Sequence, residues 1–259
     1  MGHHFRRLGS WAAAALFAVA CGFGASSDAA TLEVYAASSL TEAFTELETL
    51  FESDNPGTDV LLTFAGSQVL RVQIEQGARA DVFASANLEH VASLVALGHV
   101  RDGRVFARND LVVIVPLSNP AGIETFDDLP LAGTLVLGAG SVPVGAYARD
   151  AIRRGGERLG PQFESDVLSR LASEEANVRL VRAKVELDEA DAAIVYRTDA
   201  APSDRVRVVE IPETDNVLAD YPIGIVTDGP NPESAERWIQ LVLSDKGREA
   251  LAAHGFLLP

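Results

Sequence analysis

The chain of 259 residues contains one cysteine, Cys21, and one methionine. A single thiol cannot supply an internal disulfide, a zinc–thiolate set or a paired redox centre. Histidine is scarce as well: of five, His3 and His4 stand at the extreme N-terminus and only His90, His99 and His254 lie in the body. Those three are expected near the far ends of helices or in the turns that follow, away from the hydroxyl-bearing junctions described below, so no Ser-His-Asp triad is indicated. No H-x-x-x-H spacing and no carboxylate pair at metal-ligand spacing is found, which removes the usual transition-metal sites. Basic residues are outnumbered, Lys+Arg 21 against Asp+Glu 37, for a formal charge of -16 that is spread along the chain. Nucleic acid is not an expected partner, and acidic runs such as residues 186–191 read as solvated surface.

What is present is the composition of an ordinary globular protein, 47% hydrophobic and 22% charged, long enough for one large or two modest domains. Residues 1–30 read as an export signal. His3, His4, Arg6 and Arg7 lead, residues 11–20 are apolar, and the small residues Ala25, Ser26, Ser27, Ala29 and Ala30 follow. The apolar stretch is shorter than the about 20 residues a membrane span requires. Cleavage near Ala29 or Ala30 is the preferred reading. Ala18-Val19-Ala20-Cys21 also forms a degenerate lipidation box, with Ala18 where a larger aliphatic is usual, so the exported form is either free in the periplasm or anchored through Cys21.

From Thr31 onward, short β-branched runs alternate with stretches of helical period, the grammar of an α/β protein with mostly parallel sheets. Strands are expected at residues 32–36, 60–64 and 81–84, with helices at 40–51, 68–76 and 88–97. Leu111-Val112-Val113-Ile114-Val115-Pro116 is the most apolar strand. After it the pattern restarts, with strands at 134–137 and 192–196 and a helix from Val144. Asp220-Tyr221-Pro222-Ile223-Gly224-Ile225-Val226 mirrors the apolar strand, and helices at 232–243 and 245–253 close the chain. Two such strands bracketing a central segment imply two lobes joined by two crossovers. Residues 31–112 and 222–259 are assigned to lobe I, and residues 113–221 to lobe II.

Four strand-to-helix junctions carry small or hydroxyl residues: Ala36-Ala37-Ser38-Ser39, Ala65-Gly66-Ser67, Gly138 through Gly145, and Glu175-Ala176-Asn177-Val178. In open α/β sheets ligands bind at the carboxyl ends of strands. A helix starting there offers free N–H groups and the positive end of its dipole, and a serine adds a hydroxyl donor. An anion held between lobes is the physical inference. Each junction also has a plainer reading: a serine before a helix commonly only caps it, and the glycine run at 138–145 fits a simple turn. That run is neither G-x-G-x-x-G, since Pro143 takes the sixth position, nor a P-loop. Ser67 lies in Ala65-Gly66-Ser67-Gln68-Val69, which is not a G-x-S-x-G elbow.

Several segments, in order and at compatible spacing, resemble one family. They are Ala37-Ser38-Ser39-Leu40-Thr41-Glu42-Ala43, Phe64-Ala65-Gly66-Ser67, the run from Gln73 to Ala86, Val142-Pro143-Val144-Gly145-Ala146-Tyr147-Ala148, and Ile194-Val195-Tyr196-Arg197-Thr198-Asp199-Ala200. The resemblance, from about Thr31 to the C-terminus, is to the periplasmic molybdate-binding proteins of ABC importers, within the type II periplasmic-binding-protein fold. It implies oxyanion contacts from Ser39, Ser67, Val144, Val178 and Tyr196, the two valines acting through backbone N–H groups. The metal would then be bound only as molybdate, with tungstate equivalent, and with no direct metal ligand. It further implies no cofactor, no catalytic residue, a monomer, and an ABC permease as partner.

Two departures from the family pattern stand out. The loop at 138–143 lacks an acidic residue and is one residue shorter, and Val144 stands where alanine is usual, which is expected to narrow the cleft at most. Lys184, six residues after Val178, is placed at the surface or between lobes and not on the ligand. The alternatives left open are another oxyanion or a small organic acid, which an arginine in the junctions would favour, and a dehydratase-like enzyme on the same fold.

Overall fold

A computed structural model of the protein describes residues 1–2 and 30–259. The export-signal reading, Cys21 and the cleavage position at Ala29 fall on residues outside the described ones. The first half of the chain runs β1 (Ala30–Ala37), α1 (Thr41–Asp54), β2 (Thr58–Ala65), α2 (Ser67–Glu75), β3 (Val82–Ala84), α3 (Leu88–Ala96), β4 (Val100–Asn109) and β5 (Leu111–Pro116). It continues through β6 (Leu135–Gly138), α4 (Pro143–Leu159), α5 (Pro161–Leu168), β7 (Leu171–Glu175), α6 (Val178–Glu186), β8 (Ala192–Tyr196) and α7 (Arg197–Ala200). It ends with β9 (Val206–Glu210), β10 (Ala219–Val226), α8 (Pro232–Leu243) and α9 (Asp245–Ala253).

The strands form two five-stranded sheets of one plan, β2-β1-β3-β10-β4 and β7-β6-β8-β5-β9. In the first, β1 pairs parallel with β2 and β3 while β10 runs antiparallel to β3 and β4. In the second, β6 pairs parallel with β7 and β8 while β5 runs antiparallel to β8 and β9. The reversed strand of each sheet is the one the chain enters directly after changing lobes. The two-lobe α/β architecture is as expected, but the mostly parallel sheets are corrected to mixed ones: in each, the strand entered at a crossover arrives from the opposite direction and makes two of the four pairings antiparallel.

The crossovers lie nearer the outer strands than the apolar runs suggest. Leu111 and Val112 already pair in the second sheet, opposite Tyr196 and Val195. Ala219, Asp220 and Tyr221 already pair in the first, opposite Asn109, Arg108 and Ala107. The lobe limits set at 112/113 and 221/222 are therefore corrected to Asp110 and to the segment between β9 and β10. The cause is β4, whose sequence Val-Arg-Asp-Gly-Arg-Val-Phe-Ala-Arg-Asn is too charged to show as a strand.

Burial follows the periodicity. In α1, Ala43, Phe44, Leu47 and Phe51 turn inward. Phe44 and Phe51 meet the fully buried Trp238 of α8 edge-on, with ring centroids 5.7 and 5.4 Å apart. The two C-terminal helices thus return to lobe I and lock onto its first helix. Aromatic packing of this kind adds about 0.5–1.5 kcal/mol per pair beyond the area buried.

Candidate functional site

The register of the first sheet places its junctions side by side. Ala37 at the end of β1 lies opposite Ala65 at the end of β2, so Ser38-Ser39 and Gly66-Ser67 leave the same edge together. Ser67 is the first residue of α2, where the opening N–H groups have no intrahelical acceptor. Its Oγ accepts a hydrogen bond from the Ala86 N–H at 3.1 Å, which leaves the hydroxyl proton free to be donated elsewhere. Ser39 lies in a 3-10 turn, Ser38–Leu40, that leads into α1. Its Oγ is 3.0 Å from the Tyr221 hydroxyl. Both serines are buried.

Lobe II answers with the same construction. Gly138 at the end of β6 lies opposite Glu175 at the end of β7, and α4 and α6 start from the loops that follow. Pro143 opens α4, with its missing N–H at a position where none is needed, and Val144 supplies the next N–H. A Cβ on Gly145 would fall 2.2 Å from the carbonyl oxygens of Gly138 and Ala139. Glycine there lets the start of α4 sit directly on the end of β6. The Val144 side chain packs over Gly138. In α6 the Asn177 side chain accepts from the Leu180 N–H at 3.1 Å, capping the helix and leaving the Val178 N–H of the first turn free. Tyr196 ends β8, 1% exposed, and its hydroxyl has no hydrogen-bond partner among the described residues. Burial, reinforced by Tyr221, holds its pKa well above the ordinary tyrosine value, so the phenol keeps its proton.

Ser39, Ser67, Val144, Val178 and Tyr196 all line one small cavity between the lobes, with room of about 10 Å³. Pockets for drug-sized ligands run to roughly 300–1,000 Å³, far more than this one offers, so only a compact occupant suits it. Among the described residues, no Asp, Glu, Lys, Arg or His side chain lines it. A larger cavity of about 300 Å³ also reaches Ser39, but Glu42 is in its wall, a poor neighbour for an anion.

The lobes touch around the cavity. Gln68 Nε2 donates to the Ala176 carbonyl at 2.8 Å. Arg179, one residue after Val178, donates from Nε to the Ser38 carbonyl at 3.1 Å and forms an ion pair with Glu42 of α1. Behind it, Arg179 Nε stands 3.5 Å from Oδ1 of Asp199, a carboxyl with no solvent exposure. Burial pushes Asp199 up to about 7, outweighing the opposite pull of Arg179 and Arg182.

Sequence reasoning missed Tyr221, Asn109 and Arg179. The signal available for Tyr221 was a phenol in an otherwise apolar strand beside a crossover. Lys184 pairs with Glu189 at 2.5 Å on the surface of lobe II. His90 is corrected: it lies buried in the first turn of α3, not near the far end of a helix, and burial lowers its pKa.

The described helices include none long and apolar enough to cross a membrane. Residues 32–257 match the family model for bacterial extracellular solute-binding proteins. The molybdate-binding protein ModA of Mycobacterium tuberculosis is 35% identical over 239 residues, 91% of this chain and 88% of that protein. ModA of Escherichia coli is 33% identical over 97% of this chain and 98% of that protein. In fold, the chain matches the periplasmic molybdate-binding protein of Azotobacter vinelandii with a TM-score of 0.75 at 19% identity, covering 88% of this chain and 99% of that one.

Proposed function

Because the chain belongs to the bacterial extracellular solute-binding protein family, and because its cleft presents hydroxyls and helix starts with no charged side chain, we propose that it captures molybdate, with tungstate equivalent, for an ABC permease. The observation that carries this is the convergence of three hydroxyls, Ser39, Ser67 and Tyr196, with the helix-start N–H groups of Val144 and Val178 on one cavity without a charged side chain. The named relatives, ModA proteins, are molybdate-binding proteins, which supports this choice of anion.

The anion binds first to the serines of lobe I. Lobe II then closes over it, adding the starts of α4 and α6 and the Tyr196 phenol, and the closed form is what the permease recognises. Helix dipoles and oriented N–H groups balance a dianion at short range, while the distant surface charge is screened by salt. Monohydrogen phosphate carries an O–H that is left unpaired while the hydroxyls of the cavity turn their protons to the anion, at a cost of about 1–3 kcal/mol. Sulfate is fully ionised and is rejected by its shorter bonds, which reach the two walls less well.

That the ModA relatives are molybdate-binding proteins supports a role for this protein by binding and not by turnover. After export it works in the periplasm as a monomer, and the mass of the exported chain tells whether Cys21 carries a lipid. The test of function is calorimetric titration with molybdate, tungstate, sulfate and phosphate. One-to-one binding of the first two alone is expected; no heat with either metallate overturns the proposal.

A further inference from the structure

Two residues beside the crossovers stand behind the Ser39 hydroxyl. Asn109 is the last residue of β4, and Tyr221 lies opposite Ala107 in the strand that brings the chain back. Both are buried. Asn109 Nδ2 donates to Thr198 Oγ1 at 2.7 Å and to the Tyr221 hydroxyl oxygen at 3.5 Å. That hydroxyl is in turn 3.0 Å from Ser39 Oγ.

The amide nitrogen is donor only. With Asn109 occupying an acceptor position on Tyr221, the phenol proton is directed to Ser39 Oγ, and the serine's own proton is left for the cavity. The opposite amide orientation would reverse the chain and turn Ser39 lone pairs toward the ligand. It would also bury an NH2 group with both protons unpaired, whereas the orientation observed leaves only the acceptor Asn109 Oδ1 without a partner. An unpaired acceptor in place of two unpaired donors is the cheaper arrangement. At Ser67 the same task is done by a backbone N–H, that of Ala86, which no side-chain substitution can remove. At Ser39 it is done by a side chain.

We propose that Tyr221, set by Asn109, is a positioning residue that holds Ser39 as a hydrogen-bond donor and thereby enforces discrimination against protonated oxyanions. The proposal rests on the oxyanion reading above. Without the phenol, the Ser39 hydroxyl is free to rotate, and its lone pairs become available to the O–H of monohydrogen phosphate.

The test is a double-mutant cycle on the purified protein with Tyr221→Phe, Ser39→Ala and their combination, titrated with molybdate and with phosphate at neutral pH. Tyr221→Phe keeps the ring that packs edge-on against Tyr196, Phe106 and Phe256, and circular dichroism checks the fold. Expected is a molybdate affinity lowered roughly two- to tenfold, the scale of one neutral hydrogen bond, with phosphate affinity unchanged or raised, so that the selectivity ratio narrows. In the Ser39→Ala background the second substitution is expected to change molybdate affinity no further. Equal losses in both backgrounds, or a selectivity ratio that does not move, would show Tyr221 acting through packing and overturn the proposal. If the unsubstituted protein ignores molybdate and tungstate, the functional reading fails and this role fails with it.

Discussion

Gly66 and Ala176 come from opposite lobes, and a Cβ on Gly66 would lie 2.4 Å from the Ala176 carbonyl oxygen. Backbone, unlike a side-chain tip, cannot swing aside, so any side chain at 66 holds the lobes apart. Gly66→Ala is expected to weaken molybdate binding at least about tenfold, a loss of about 1.4 kcal/mol. Small-angle scattering should show the variant failing to contract on adding ligand, while its melting temperature without ligand stays near that of the parent.

Hydroxyl donors to a charged ligand contribute about 1.5–3 kcal/mol each. Ser39→Ala, Ser67→Ala and Tyr196→Phe should each reduce molybdate affinity by about that amount in calorimetry. Val144→Ala should leave affinity within roughly threefold, because Val144 acts through its N–H and its side chain packs over Gly138. A larger loss at Val144 than at the serines would contradict the assignment of roles.

Asp199 ties stability to pH. Its carboxyl is raised to about 7 in the fold and returns to the ordinary carboxylate range when unfolded. Between roughly pH 4 and 7 the native state therefore binds more protons, and stability falls as pH rises across that window, by roughly 4 kcal/mol in all. Asp199→Asn should flatten this slope and melt above the parent at pH 8, with little difference at pH 4. Denaturant unfolding at several pH values measures it.

Arg179 spans the cleft to Glu42 and the Ser38 carbonyl while half-shielded from water. Ion pairs with this much exposure are worth up to about 1 kcal/mol. Arg179→Gln is expected to speed ligand release by no more than about fivefold in stopped-flow displacement, and the parent's release rate should rise with salt.

Much of the cleft was legible because strand ends have local signatures. A β-branched run, then small and hydroxyl residues, then helical period identifies a junction without any knowledge of tertiary contacts, and Ser39, Ser67, Val144 and Val178 sit on such junctions, whereas Tyr196 was named through the family resemblance alone. Helices α8 and α9 also match their expected bounds, because Pro232 and Ser244 mark their starts. What escaped depends on long-range partners. Charged β4 is a strand only because β10 pairs with it, and Tyr221 matters only because the first sheet lays its strand beneath Ser39. Arg179 looked like a surface residue of an amphipathic helix, and nothing near it in the sequence announces Glu42.

The placement of β10 sets an order of assembly. All five strands of the second sheet fall within residues 111–210, an unbroken stretch, whereas the first sheet needs residues 219–226 between β3 and β4. β4 pairs with no other strand of its sheet, so it stays unpaired until the last quarter of the chain arrives. The lobe that begins first is thus completed last. A chain emerging from its N-terminus closes the inner lobe while the outer one waits, and a truncation before Ala219 strands the outer lobe without its joining piece.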